Sequence, residues 1–412
     1  MRQRETMLGE PWFMVPRRVI LRGADIVTPD RVITGGALVV EGDRIAAVLP
    51  VVPPLGGEDV LWVSGLIAPA FIDLHSDALE KEIRPRPGAT IPVELAIMEF
   101  DRKLAGHGIT SVVHGLCFTE TDGDFRAYAE SARIAAAVRQ HAPACLVRHL
   151  LHARYEITDF GAAPTVERLV EEGVLVLVSF MDHAPGGRQF KSASDFVRYY
   201  APTLGRDAEV VLRLAEEKQR RKRDERARLD AEAERLADAA RRQGVILASH
   251  DDGSAADVAW AARLGVTLSE FPVSTEALLA AHEHRLHVVM GAPNVLRGGS
   301  TTGNLSALEA IRRGGVDSIC SDYYPASLLH AAAKLYAAGY ATFPEALGLV
   351  TLHPAQALGM AGELGSLEPG KLADLVVIGE RGGVPVVTRT FRAGSEVFVA
   401  GYREVAPTLV AT

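Results

Sequence analysis

At 412 residues, with 48% hydrophobic and 23% charged residues and 38 glycines, the chain has a folded, globular composition. Its length suits one α/β barrel of roughly 250 residues or more plus a small accessory unit. A net charge of −8, from 44 Lys and Arg against 52 Asp and Glu, excludes a surface drawn as a whole to nucleic acid or acidic membranes, so a polyanionic substrate would need a local cationic pocket.

Residues 1–15 carry early basic charge but lack the apolar run and small-residue cleavage site of a secretory signal, and read as a flexible extension. Residues 17–63 alternate short β-branched runs with turn signals, Gly42-Asp43 lying between two of them, as in a small β-sheet. From residue 66 the pattern becomes apolar strands separated by helical stretches, as parallel strands with crossover helices require. The strand candidates are 66–75, 108–115, 144–153, 173–183, 244–250, 265–272, 287–294 and 316–322. Each is bounded by Gly or polar turn residues, predicting an α/β (β/α)8 TIM-type barrel over 66–365. Between the fourth and fifth, residues 207–244 are rich in Ala, Leu, Glu and Arg and predict one long solvated helix or two, with acidic residues offsetting the basic ones. Short strands with Gly-containing turns return near the end, so 16–65 and 366–412 are expected to complete one composite β domain. No stretch approaches the roughly 20 apolar residues that cross a bilayer. Cys117, Cys145 and Cys320 are widely spaced without a C-x-x-C, which argues against a disulfide framework or a cysteine zinc site and favours a reducing cytoplasm.

Chemistry-bearing side chains recur at the C-terminal ends of these strands, where a barrel builds its active site. His75 and Asp77 end the first, two residues apart as in a strand whose alternate side chains share a face. His152 and Glu156 close the third, His183 the fourth, His250 the fifth and Asp322 the last. Imidazole and carboxylate donors suit a divalent ion such as Zn, with Mn, Fe and Ni also open. His152 is open between a ligand, a group that orients Glu156 and a substrate contact. The remaining histidines, His114 and His149 among them, read as surface or helix-terminal, and Cys320 as a small buried apolar residue.

The H-x-D after an apolar strand, the later single histidines, the Asp ending the last strand and the terminal G-x-L-x-x-G-K-x-A-D-L-V-V run resemble the amidohydrolase superfamily. More narrowly, DLHSDALEKEIRPRP, HARYE, MDHAPGGRQF, ASHDD, MGAPNVLRGGSTTGN and SDYYPASLL resemble its diphosphatase branch in the carbon-phosphorus lyase pathway. The resemblance implies one or two divalent ions, with His75 and Asp77 as ligands, Glu156 as bridging carboxylate, and His183 and His250 completing a second site. Asp322 would bind metal and shuttle protons. Much of the superfamily has a second His where this chain has Asp77, and often a bridging lysine that is missing here. The implied reaction is hydrolysis of a phosphorylated sugar phosphonate, a ribose 5-triphosphate, to the 5-phosphate and pyrophosphate. Its charge calls for cationic partners, supplied by Lys81, Arg84, Arg86, Arg188, Lys191 and Arg297, with the Gly-flanked Ser300, Thr301 and Thr302 offering backbone N–H groups. The alternatives are hydrolysis of an amide or cyclic C–N bond, which would not need so many cations, and a non-catalytic structural or regulatory subunit. Homo-oligomer formation is left open.

Overall fold

The computed structural model describes residues 18–51, 59–86, 88–119, 127–186, 188–300 and 303–402; the expected extension at 1–15 lies outside them. Seven strands precede the barrel: β1 (Arg18–Arg22), β2 (Asp25–Val27), β3 (Val32–Ile33), β4 (Ala37–Glu41), β5 (Arg44–Leu49), β6 (Asp59–Trp62) and β7 (Leu66–Pro69). The barrel strands are β8 (Phe71–Ser76), β9 (Ile109–Phe118), β10 (Arg148–Glu156), β11 (Leu177–Met181), β12 (Ile246–His250), β13 (Leu268–Glu270), β14 (His287–Gly291) and β15 (Ser318–Cys320). Three strands follow, β16 (Leu375–Arg381), β17 (Val384–Arg392) and β18 (Ser395–Val399).

The eight barrel strands pair in sequence order, all parallel. The ring is drawn shut where Ser76 bridges Asp322, with Asp77 N–H donating to Asp322 O at 2.8 Å and Asp322 N–H to His75 O at 3.0 Å. Closure therefore falls on residues singled out for their chemistry. The expected strand 66–75 divides at Ala70: Leu66–Pro69 pairs with β16 and β2 in a sheet ordered β18-β17-β16-β7-β2-β3, and only Phe71–Ser76 enters the barrel. A second sheet, β5-β4-β1-β6, comes from the N-terminal strands alone.

Period-two alternation positions the site. In β10, Leu150 joins the core inside the barrel, whereas Leu151, Ala153 and Tyr155 pack toward the helices. His152, Arg154 and Glu156 share the parity of Leu150 and rise along the inner face toward the mouth. The inner core of Ile72, Leu74, Val113, Leu177, Leu268 and Val289 fills the barrel below them, each such side chain contributing roughly 1.5–3 kcal/mol by burial.

Outside the barrel, His114 and His149 are buried, against the expectation of surface positions. Their ring nitrogens lie 2.7 Å apart, and His149 Nε2 lies 3.0 Å from Asp101 Oδ1 on the helix Val93–Gly106. Cys320 is fully buried, and burial pushes its thiol well above the ordinary range.

The long charged segment forms two helices, Ala208–Asp224 and Arg226–Gln243, joined at Glu225, and a further helix, Ala193–Leu204, precedes them. The first and third end at left-handed Gly205 (φ 61°) and Gly244 (φ 69°), as helix stops commonly do. Helices Ala193–Leu204 and Ala208–Asp224 share a small core of Phe190, Phe196, Val211 and Ala215. Against the barrel rim the second presents Lys218, which pairs with Asp159 at 2.8 Å, and Lys222, which pairs with Asp182 at 2.6 Å. Among the described residues no helix is long and apolar enough to cross a membrane.

Candidate metal centre

Three imidazoles, His75 on β8, His250 on β12 and His183 just beyond β11, converge at the mouth, each backed by a buried carboxylate. His75 Nδ1 donates to Glu270 Oε1 at 3.0 Å, His250 Nδ1 to Glu270 Oε2 at 3.1 Å, and His183 Nδ1 to Glu156 Oε2 at 2.9 Å. An ionised carboxylate only accepts, so each contact fixes the proton on Nδ1 and turns the Nε2 lone pair away from it. The rings of His75 and His250 stack at 5.5 Å between centroids, and those of His183 and His250 meet edge to face at 6.0 Å. Gly115 leaves room for this packing, because a Cβ there would lie 3.3 Å from His75 Nε2 and 3.0 Å from Arg154 Cδ.

The acidic side of the mouth is set by strand ends in the left-handed region. Asp251 (φ 56°), Phe271 (φ 55°) and Asp322 (φ 56°) follow β12, β13 and β15, a conformation that costs of order 1–3 kcal/mol for non-glycine residues and clusters at functional sites. Asp251 Oδ2 stands 3.6 Å from both His183 Nε2 and His250 Nε2. Among the described residues this buried oxygen and Asp77 Oδ1 have no hydrogen-bond partner. A buried carboxylate oxygen costs free energy unless something positive meets it. The fit to a divalent cation is therefore good: one ligand atom each from His183, His250 and Asp251 all lie within 4.8 Å of one another.

Arg154 brings positive charge into the same space. Its guanidinium lies 3.6 Å from Asp77 Oδ2 and donates to His250 Nε2 at 3.2 Å. Burial, helped by Arg154, lowers His75 and His250 to about 3, so both rings are neutral at neutral pH. Burial opposes protonation of His183, but the Asp251 and Glu156 carboxylates outweigh it and raise its pKa. Burial and then Asp77 push the Asp322 carboxyl up to about 8, against the pull of Arg154 and Lys81.

Other positions read from the sequence fall in different places. Glu156 was expected as a bridge, but both its oxygens accept from the His183 backbone N–H, at 3.2 and 3.3 Å, and one also holds the ring, so it stands behind His183. His152 is fully buried, with Nε2 2.8 Å from Ser179 Oγ and 3.9 Å from Glu270 Oε2, and so neighbours Glu270 rather than Glu156. Arg188, read as a phosphate contact, is buried and donates to the carbonyls of Phe180 (3.2 Å) and His250 (3.0 Å), tying β11 to β12. Lys81 and Arg297 do come together: Lys81 Nζ lies 4.5 Å over the Tyr323 ring, and Arg297 donates to Tyr323 Oη at 3.1 Å. Arg84 faces Glu130 electrostatically, while Arg86 and Lys191 are exposed. Ser300 is half-buried at the edge of a described segment, and Thr301 and Thr302 lie outside the described residues.

Four residues at the mouth escaped the sequence reading: Arg154, Asp251, Glu270 and Tyr323. Arg154 shares strand parity with His152 and Glu156, and Glu270 ends β13 as His250 ends β12. Asp251 and Tyr323 directly follow His250 and Asp322.

The chain belongs to the amidohydrolase family, which residues 66–397 match. It is 35% identical over 343 residues to the alpha-D-ribose 1-methylphosphonate 5-triphosphate diphosphatase of Escherichia coli (strain K12), covering 81% of this chain and 88% of that protein. Among solved structures it is similar in fold to the N-acetyl-D-glucosamine-6-phosphate deacetylase of Mycobacterium smegmatis, at TM-score 0.60 and 15% identity over 93% of this chain and 100% of that one. It is also similar to the ochratoxinase of A. niger, at TM-score 0.61 and 14% identity, covering 93% and 96% of the two chains.

Proposed function

We propose that this chain is a metal-dependent phosphoanhydride hydrolase that converts α-D-ribose 1-methylphosphonate 5-triphosphate and related phosphonates to the 5-phosphate and pyrophosphate. The observation that carries this choice over amide or cyclic C–N hydrolysis is the pair of cations, Lys81 and Arg297, gathered on Tyr323 directly after Asp322. An amide substrate without a phosphate gives such a pair nothing to neutralise, whereas a leaving pyrophosphate does. The activity named for the E. coli relative supports the same reading.

His183, His250 and Asp251 would hold one divalent ion, with His75, Asp77 and Asp322 as further donors at the mouth. When bound, such an ion supplies Lewis acidity and lowers the pKa of water from 15.7 to roughly 7. Glu270 and Glu156 keep the imidazoles in the tautomer that offers Nε2. Arg154 presents positive charge to a phosphoryl oxygen. Asp322, which added positive charge at the mouth would keep as the carboxylate, would accept the proton of the attacking water as the P–O bond to the second phosphate breaks. Lys81 and Arg297 receive the charge that develops on pyrophosphate.

The test is pyrophosphate release from the ribose phosphonate triphosphate by zinc- or manganese-loaded protein in 18O-water. The label is expected in the sugar 5-phosphate. No pyrophosphate would overturn the reading, and label confined to pyrophosphate would overturn the site of attack.

A further inference from the structure

The cavity beside this centre, which Asp77, Arg154 and His183 border, has polar and apolar lining and spans about 770 Å³, part of it open solvent. Asp77, Arg154, Glu156 and His183 belong to the polar lining; Phe196, Tyr199, Tyr200, Leu204 and Leu214 belong to the apolar lining. These apolar residues are contributed by the inserted helices Ala193–Leu204 and Ala208–Asp224 rather than by barrel strands.

Its rings brace one another. Phe196 and Tyr200 are 4.5 Å apart between centroids, Tyr200 and Tyr199 meet edge to face at 5.1 Å, and Phe190 lies 5.6 Å from Tyr199. Phe190 and Phe196 are anchored in the small core beneath them. Tyr199 lines the cavity yet is 44% exposed, so aromatic surface is held open to water within reach of the centre. Rigid aromatic walls of this kind bind flat rings, by burial of area and by edge or offset stacking. A substrate whose apolar group is a single methyl would leave most of this wall wet.

We infer that the apolar lining takes a planar aromatic ring carried by the substrate at the end remote from its phosphates. The inference rests on the triphosphate reading, since it needs the phosphates to meet the polar lining. Two sources share this chemistry, an aryl group on the phosphonate and a nucleobase, and both would hang from C1 of a ribose 5-triphosphate. In either case water adds to the phosphorus nearest the ribose, the P–O bond to the second phosphate breaks, and pyrophosphate leaves with that electron pair. The proton from water passes to Asp322 and then to solvent.

The experiment compares pyrophosphate release from ribose 5-triphosphates bearing methylphosphonate, benzylphosphonate or adenine at C1, the last being ATP. A ring-bearing substrate is expected to show a KM roughly three- to tenfold below that of the methyl compound, the range a single aromatic contact supplies. Tyr199→Ala should erase that ratio and Tyr199→Phe should keep it; Tyr199 is exposed enough for both variants to fold. Preference for the benzyl compound supports an aryl phosphonate as the ring's source, and preference for ATP supports a nucleobase. Turnover of the methyl compound without preference for either ring, or a preference that survives Tyr199→Ala, overturns the inference and leaves the triphosphate reading standing. Pyrophosphate from none of the three overturns both.

Discussion

Glu270 accepts from His75 and His250 at once, so a single carboxylate decides which nitrogen two rings offer to a cation. In Glu270→Gln the amide can accept from only one of them; its N–H2 would force the other to carry its proton on Nε2. Metal affinity is expected to fall roughly 10- to 100-fold, measured by competition with a chelator, with the fold retained because the two side chains are nearly isosteric. Unchanged affinity would contradict the role given to Glu270. Two arginines make a second contrast. Arg188 is buried beside Asp252 and Asp257, so Arg188→Ala should cost about 3 kcal/mol or more in urea unfolding, by stranding buried charge. Arg297 is exposed at the mouth, and Arg297→Ala should raise KM roughly tenfold without changing metal content or Tm. A KM effect without destabilisation for Arg188→Ala would return that residue to the substrate.

Among the elements, β10 joins the barrel to the terminal strands. Its first residue, Arg148, forms a buried bidentate pair with Asp374, which precedes β16. Burial works to raise the Asp374 carboxyl above its ordinary 3.8, but Arg148 outweighs it and holds the value lower. A lowered folded pKa means that the stabilisation is complete above the unfolded value and is lost as pH falls through the folded one. Asp374→Asn should therefore unfold about 3–5 kcal/mol more easily at pH 7, and the gap should close in acid. Equal stability of the two proteins at pH 7 would contradict this. The strands themselves were legible because each runs as a short apolar stretch bounded by Gly or polar turn residues, and the strand-end rule pointed to His75, His183, His250 and Asp322. What escaped were partners defined across strands. Nothing local to GVTLSEFP says that Glu270 lies behind two histidines from β8 and β12, and nothing in GGRQF says that Arg188 turns inward to carbonyls. The split at Ala70 was hidden because no Gly or polar turn residue separates the two halves of 66–75, which join different sheets.

For the whole molecule, the donors come from strands spread around the ring, with β8 meeting Asp322 at its closure. A cation held by such donors would cross-link distant parts of the chain, and ligand-linked stabilisation reaches about 4 kcal/mol at 1,000 times Kd. Exhaustive chelation should accordingly lower Tm by a few degrees, with recovery on adding back zinc or manganese; a Tm indifferent to metal would argue that no tight cation site exists. The most direct measurement is an anomalous difference map, collected at the metal edge, from crystals of protein shown to release pyrophosphate. A peak is expected at about 2.0–2.2 Å from Nε2 of His183 and His250 and from an oxygen of Asp251. Active crystals with no peak at the mouth would contradict the proposed centre.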